Sequence, residues 1–169
     1  HITVASEEGK GTTFSFTVVT QSSAPPPRPY DKIPEAFQGK RVLVVDDNAT
    51  NRQLMVTRAQ NWGFQVTPHE FPEKALEMVR AGEKFDLAVL DIQMPDMDGT
   101  QLAREIRKVS DMPLIAWTSL GRREADAAGI FHAYLHKPLR PALLYEVLHQ
   151  LLVQHTARVL APSQFDAEF

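Results

Sequence analysis

Hydrophobic residues follow two spacings along most of this chain. Short apolar runs lie at residues 42–45, 87–90, 114–117 and 133–135, and a short alternating run lies at residues 64–67. Between these runs, apolar residues recur every three or four positions, which is the period of an amphipathic helix. Short apolar runs that alternate with helices are typical of buried parallel strands joined by crossover helices. The pattern predicts an α/β domain over residues 40–154, in which five parallel strands form a doubly wound sheet.

The predicted helices each have one apolar face. Asn48 is a good N-cap for the first helix, and Gly63 is a good residue to end it. A short, weaker helical pattern lies around residues 122–128. Right-handed crossovers bring the carboxyl ends of all five strands to one edge of the sheet. The apolar faces contain Met55, Ala59 and Trp62 in the first helix, Ala75, Leu76 and Val79 in the second, Leu102, Ala103 and Ile106 in the third, and Leu144, Val147, Leu148 and Leu151 in the last.

The two ends of the chain lie outside this repeat. Residues 1–20 alternate between apolar and polar positions on both sides of Gly9 and Gly11, which predicts a β-hairpin extension. Residues 21–39 contain five of the twelve prolines without periodicity. This composition favours a semi-rigid linker, with an SH3-type ligand as the alternative interpretation. Residues 155–169 are expected to form a C-terminal tail.

The composition narrows the classes of function. The net charge of −3 provides no basic surface for nucleic acid. The chain has no cysteine, which excludes disulfides, thiolate metal sites and a cysteine nucleophile. It has no apolar run of roughly 18 residues and no signal-peptide pattern, so we expect a cytoplasmic location without membrane contact. It begins without Met, so we expect a piece of a longer parent, which could be membrane-anchored.

Polar residues follow four of the five predicted strands. Asp46 and Asp47 close the first strand, Asp91 the third, Thr118 the fourth and Lys137 the fifth. Because the strand ends share one edge, we expect these side chains to converge where open α/β sheets place their sites. Three converging carboxylates repel one another unless a cation lies among them, and oxygen donors suit Mg²⁺.

The chemistry of this set indicates phosphoryl transfer. A magnesium ion would orient a phosphoryl group, while a hydroxyl and an ammonium group would bind its oxygens. Phosphoryl transfer needs little beyond such positioning and charge stabilisation. An aspartate carboxylate would be the nucleophile and would form an acyl phosphate. The strand ends therefore predict a phosphoacceptor that assists its own phosphoryl transfer.

The same strand ends resemble those of a known family, the receiver domains of two-component signalling. In that family the strands end in D-D, in D followed by M-P-x-M-D-G, in S or T, and in K-P. This chain has VLVVDDN, VLDIQMPDMDG, LIAWTS and YLHKPLRP in the same order. The resemblance implies a flavodoxin-like sheet with the strand order 2-1-3-4-5.

The resemblance also implies a role for each matching residue. These roles are Asp91 as phosphoacceptor, Asp47, Asp91 and the backbone carbonyl of Gln93 as Mg²⁺ ligands, Asp46 as a ligand through water, Lys137 and Thr118 as phosphoryl-binding groups, and Thr118 and Tyr134 as the switch that responds to phosphorylation. Gln93 and Leu120 depart from the usual residues at positions that influence attack of water on the acyl phosphate. Leu120 cannot orient water, so we expect a long-lived phosphoryl group.

The hairpin resembles the last two strands of a histidine-kinase ATP-binding domain, whose end has the pattern I-x-V-x-S-x-x-G-x-G-[ST]-x-F. The matching residues are Ile2, Val4, Ser6, Gly9, Gly11, Thr12 and Phe14. This likeness implies the C-terminal part of a hybrid sensor histidine kinase, although the chain lacks a nucleotide box and should not bind ATP. The implied partners are a kinase phosphohistidine domain, in the same parent or in trans, and a histidine phosphotransfer domain. The sequence leaves both a monomer and a homodimer possible.

Two other classes of function compete with this prediction. Residues 96–100, DMDGT, match the D-x-D-G-T string of haloacid-dehalogenase-type phosphatases, but Pro95 separates Asp96 from the strand end at Leu90. The other class is a receiver-shaped interaction module that is never phosphorylated. Phosphoryl uptake that requires Asp91 would indicate the receiver, and turnover of a phosphate ester that requires Asp96 would indicate the phosphatase. Weak Mg²⁺ binding without a response to beryllofluoride would indicate the interaction module.

Overall fold

The computed structural model of the chain describes residues 1–21, 30, 33–119 and 129–160, and for residues 153–160 it describes the backbone alone. The strands are β1 (Ile2–Glu7), β2 (Gly11–Phe16), β3 (Arg41–Val45), β4 (Gln65–His69), β5 (Leu87–Asp91), β6 (Leu114–Thr118) and β7 (Ala133–His136). The helices are α1 (Ala49–Asn61), α2 (Pro72–Arg80), α3 (Gly99–Arg107) and α4 (Pro141–Leu160), with a 3-10 turn at Glu35–Phe37. Among these described residues, no helix has the length and apolar character that a membrane span requires.

Five parallel strands form the central sheet in the order β4-β3-β5-β6-β7. Numbered within this sheet, the order is 2-1-3-4-5, so the prediction of a doubly wound α/β fold is confirmed. Along β3, β5 and β6, alternate side chains enter two different hydrophobic clusters. Residues of α2 and α3 belong to the first cluster, and residues of α1 and α4 belong to the second. The sheet is therefore covered on both faces, as its nearly continuous apolar strands require.

The end of β4 and the set of buried side chains on α4 differ from the prediction. β4 continues through Pro68 to His69, whereas the sequence pattern ends it at residue 67. Because β4 is an edge strand, a proline without an N–H removes no ladder bond on its open side. In α4, Leu144, Leu148 and Leu152 are fully packed into the core, while the expected Val147 and Leu151 lie partly buried beside them.

The predicted N-terminal hairpin is present, with β1 and β2 antiparallel. Ile2 lies opposite Phe16, and Val4 lies opposite Phe14. These four side chains share one face of the hairpin and are each at least 62% exposed. This face is apolar and open to solvent.

The end of the predicted linker packs onto the domain. Phe37 is completely buried, and its ring centroid lies 4.7 Å from that of Phe64 and 5.5 Å from that of Tyr145 on α4. The indole Nε1 of Trp62 donates a hydrogen bond to the carbonyl of Tyr30 at 2.9 Å. At the other end, α4 runs to Leu160, past the predicted domain boundary at residue 154. The predicted SH3-type segment at 25–29, the weak helix at 122–128, Leu120 and residues 161–169 lie outside the described residues.

Candidate functional site

The carboxyl edge of the sheet brings together four of the charged residues that follow its strands. Asp46 and Asp47 come directly after β3, and Asp91 ends β5; one carboxylate oxygen from each lies within 4.8 Å of the others. Lys137 comes directly after β7. Its Nζ lies 3.0 Å from Asp46 Oδ2 and 2.8 Å from Asp91 Oδ2. The parallel order of the strands explains this convergence, because all their C-terminal ends lie at one edge.

Burial sets the electrostatics of these groups. Asp91 is 2% exposed, and this burial raises its pKa, although the Lys137 ammonium and the Gln93 N–H favour its charged form. The nearby charge of Asp46 raises the pKa of Asp91 further. For Lys137, burial alone would lower the pKa, but hydrogen bonds to Asp91 and Asp46 and their charges raise it. Lys137 therefore carries a full positive charge between two buried acids.

Asp46 is held by the protein on both carboxylate oxygens. The N–H of Asn48 donates to its Oδ1 at 2.8 Å, and the side-chain amide of Asn51 lies 3.3 Å and 3.1 Å from the two oxygens. Lys137 occupies the remaining side of Oδ2. Asp47, in contrast, is exposed, and within the described ranges no side-chain hydrogen bond to its carboxylate is found. Asp47 is thus the acid of this set that is open to a ligand.

Arg52 fixes the backbone that presents the two acids. One of its guanidinium nitrogens donates to the carbonyls of Asp46 and Asp47 at 2.7 Å and 2.9 Å. The other forms an ion pair with Glu70, just after β4, at 3.2 Å. This side chain therefore connects α1 to two neighbouring strand ends. The sequence analysis missed both Asn51 and Arg52; the available signal was their position on the first turn of a helix that starts directly after the acids.

Gly99 allows the chain after β5 to pass close to the backbone of Asp91. A Cβ at this position would lie 2.0 Å from the backbone oxygen of Asp91, a distance at which two atoms cannot coexist. The Gly99 N–H donates to the carbonyl of Ile92 at 3.1 Å. Asp98 caps α3 through the N–H of Gln101, whose side chain bonds back to the N–H of Asp98. Glycine is therefore required here by a close approach of two backbones.

Three further predicted site residues lie on or just after strands β5, β6 and β7. Thr118 ends β6, is fully buried, and accepts a hydrogen bond at its carbonyl from the Lys137 N–H at 2.9 Å. Gln93 is exposed and its N–H donates to Asp91 Oδ1 at 3.2 Å, while the role of its carbonyl as a metal ligand stays a prediction. Tyr134 lies half-buried on β7 with its ring 5.8 Å from that of Phe131. Its switching role also stays a prediction.

The donor set fits a magnesium ion. Three carboxylates within reach of one another supply hard oxygen ligands, which Mg²⁺ prefers over softer donors. Asp47 is exposed and open to such an ion. The direct role of Asp91 and the role of Asp46 through water, which the family resemblance implies, stay predictions. The ion would neutralise the acids and stabilise charge on a transferring phosphoryl group.

The phosphatase alternative does not fit the geometry. Its nucleophile, Asp96, is exposed in a loop and has a backbone φ of 65°, away from the end of β5 at Asp91. Its second acid, Asp98, is the N-cap of α3. Neither side chain occupies the strand-end position that such a phosphatase requires.

A sequence profile described as the response regulator receiver domain matches residues 42–149, which include every charged residue of this site. This chain belongs to the response regulator receiver family. The receiver is 34% identical over 145 residues to a two-component response regulator of Arabidopsis thaliana, ARR18, covering 82% of this chain and 22% of that protein. It spans about a fifth to a half of the curated relatives it matches.

Solved structures show the same fold as this receiver. A CheY-like receiver domain protein of Methanospirillum hungatei is 27% identical with a TM-score of 0.67, covering 72% of this chain and 99% of that one. The receiver domain of sensor histidine kinase PA1611 from Pseudomonas aeruginosa is 26% identical with a TM-score of 0.61, covering 68% and 98%. The latter structure has a magnesium ion coordinated in its active site cleft.

Proposed function

We propose that this receiver accepts a phosphoryl group from a phosphohistidine onto Asp91, in a reaction that depends on Mg²⁺. One observation supports this most: Lys137 bridges the buried Asp91 and Asp46 beside the exposed Asp47. The arrangement supplies a nucleophilic oxygen, a fixed cation and an open acid for a metal ion within one cluster.

Each residue has a defined part in the proposed transfer. An Asp91 oxygen forms the new O–P bond while the P–N bond of the donor imidazole breaks, and the leaving imidazole takes up a proton. The Lys137 ammonium binds a phosphoryl oxygen and balances the charge that the group brings. Thr118 offers a hydroxyl to another phosphoryl oxygen, and Tyr134 changes position in response. The acyl phosphate carries close to two negative charges where the Asp91 carboxylate carried one, and this change at the edge of the sheet is the signal that a partner detects.

The wider context is part of the same proposal. The hairpin sequence at residues 1–20 and the similarity to the PA1611 receiver support placement in a hybrid sensor histidine kinase. The donor would then be a phosphohistidine domain of the same parent or another kinase, and the acceptor a histidine phosphotransfer domain, in the cytoplasm. Phosphorelay between these three carriers would be the activity of the whole protein.

A phosphorylation assay with a small-molecule phosphodonor tests the proposed function. The wild-type chain with Mg²⁺ should gain the mass of one phosphoryl group, and chelation of Mg²⁺ should prevent the gain. Asp91→Asn should gain none, whereas Asp96→Asn, which changes an exposed acid of the same loop, should behave as wild type. Uptake that persists in Asp91→Asn, or no uptake by the wild type, would refute the assignment.

A further inference from the structure

Trp117 lies directly beside the phosphoacceptor, on the neighbouring strand. In the parallel register of β5 and β6, Asp91 pairs with Trp117, whose carbonyl accepts a hydrogen bond from the Ile92 N–H at 3.2 Å. In the register of β6 and β7, Trp117 pairs with Leu135, two residues before Lys137. The backbone of Trp117 therefore lies between the strand that carries the nucleophile and the strand that precedes the lysine.

The indole face supports the Lys137 ammonium. The Nζ lies over the Trp117 ring, 5.0 Å from its centroid, within the distance at which a cation is attracted to the negative face of an aromatic ring. The Trp117 side chain is 1% exposed, so water screens this contact weakly. Lys137 thus has three supports: Asp46 at 3.0 Å, Asp91 at 2.8 Å and the indole face.

The chemistry of tryptophan at this position argues for the ring face over the ring nitrogen. Within the described part of the chain, no hydrogen-bond partner for the buried Trp117 Nε1 is found. A buried N–H without an acceptor costs free energy, and a phenylalanine or leucine would avoid that cost. Tryptophan has the ring face that attracts a cation most strongly among the side chains, and leucine has no such face.

We propose that Trp117 is a positioning residue for phosphoryl transfer, because its indole face holds the Lys137 ammonium at the place where the phosphoryl group arrives. This inference rests on the proposed function. When an Asp91 oxygen bonds to phosphorus, the direct Asp91–Lys137 contact is replaced, whereas the indole face stays in place. Lys137 then keeps two fixed supports, Asp46 and Trp117, throughout the transfer.

Substitutions at Trp117 test the positioning role by rate. At saturating phosphodonor and Mg²⁺, the rate constant for phosphorylation should decrease from tryptophan to Trp117→Phe and further to Trp117→Leu, with a loss of roughly tenfold in the leucine variant. Donor affinity should change little. Trp62→Leu removes the other tryptophan, which is buried at the far end of α1, and should leave the rate constant of the folded protein unchanged. A folded Trp117→Leu protein with the wild-type rate would overturn the proposal.

Fluorinated tryptophans separate the electrostatic potential of the ring face from the shape of the ring. They test the proposal even if Trp117→Leu does not fold. In a Trp62→Phe chain, stepwise fluorination of Trp117 weakens the negative face while its volume changes little. The logarithm of the rate constant should fall steadily with fluorination. A rate that is independent of fluorination would show that the indole acts by packing alone and would overturn the proposal.

A double-mutant cycle tests the contact without any phosphorylation. Trp117→Leu and Lys137→Met should have non-additive effects on the free energy of unfolding, because each removes the same interaction. Additive effects would overturn the contact. A wild-type chain that takes up no phosphoryl group would instead refute the proposed function, while the cycle would still decide whether the ring and the ammonium interact.

Discussion

At the scale of single residues, Asp91 is a carboxylate whose environment disfavours its charge. Burial is the main reason for its raised pKa, and the neighbouring Asp46 adds to it. Lys137 reduces this penalty without cancelling it. The surroundings of Asp91 therefore favour its neutral form, and a cation bound beside it would offset the cost of its charge.

This raised pKa gives a pH dependence with a definite sign. A folded-state pKa above the unfolded value means that the contribution of Asp91 to stability is present below the unfolded pKa, about 3.9, and is lost as pH rises through the folded pKa. Without Mg²⁺, Asp91→Asn should thus be more stable than wild type near pH 7. The difference should shrink as the pH falls through the folded-state pKa, because protonation makes Asp91 neutral like asparagine.

Urea unfolding across this pH range measures the difference. Asp96→Asn is the matched control, since it changes an exposed acid of the same loop and should follow the wild-type curve. A variant Asp91→Asn that is less stable than wild type at pH 7 without metal would contradict the account of a strained carboxylate.

Asn51 acts on the same site through Asp46. Asn51→Ala removes the amide that lies 3.3 Å and 3.1 Å from the two Asp46 oxygens. Groups that orient metal ligands typically contribute a factor of about 10 to 100 in metal affinity, so Mg²⁺ binding should weaken by this order. Asn61→Ala, an exposed change at the other end of α1, should leave the affinity unchanged. Calorimetric titration compares them, and equal affinities would contradict the supporting role of Asn51.

The residues that sequence alone identified are those whose type and position both point to chemistry. Asp46, Asp47, Asp91 and Lys137 are charged groups directly after apolar strands. One such group alone would be explained as a solvated side chain, but several that converge at one edge of a sheet indicate a site. Asn51 and Gly99 escaped notice because their roles depend on distances between segments: an amide that reaches across a turn, and a backbone oxygen 2.0 Å from an absent Cβ. The spacing of hydrophobic residues does not indicate contacts of this kind.

At the scale of elements, the segment before β3 is the clearest difference from the sequence analysis. The prolines predicted a linker through residue 39, yet Phe37 is completely buried between Phe64 and Tyr145. The two aromatic residues of this segment, Tyr30 and Phe37, follow no period, so the sequence pattern could not indicate which surface Phe37 covers. β4 is a similar case, because the effect of Pro68 depends on whether the strand lies at an edge.

This packing predicts that the domain requires its preceding segment. Phe37→Ala should lower the free energy of unfolding by about 3–5 kcal/mol, the usual cost of removing a buried phenylalanine ring. Ile33→Ala changes a residue that is 49% exposed in the same segment and should change stability by no more than about 0.5 kcal/mol. Chemical denaturation compares the two. A loss of stability in Phe37→Ala that is as small as the loss expected for Ile33→Ala would mean that the segment contributes nothing to the core.

At the scale of the whole molecule, the five-stranded sheet could be predicted because hydrophobic period and connection handedness restrict the arrangement. Both faces of the sheet are covered, so its strands appear as continuous apolar runs that differ clearly from the helical repeats. Right-handed crossovers then place all carboxyl ends together. The hairpin was also predictable from its period of two, but the open apolar face formed by Ile2, Val4, Phe14 and Phe16 is a property that only coordinates reveal.

The central claim is that separate strand ends form one site for a metal ion and a phosphoryl group. A crystal structure of the chain with Mg²⁺ and beryllofluoride, which imitates an acyl phosphate, tests it most directly. The account predicts one metal ion bound by Asp47 and Asp91, with beryllofluoride on an Asp91 oxygen in contact with Lys137 and Thr118. Beryllofluoride bound elsewhere, or Asp47 and Asp91 that hold no common ion at saturating Mg²⁺, would contradict it.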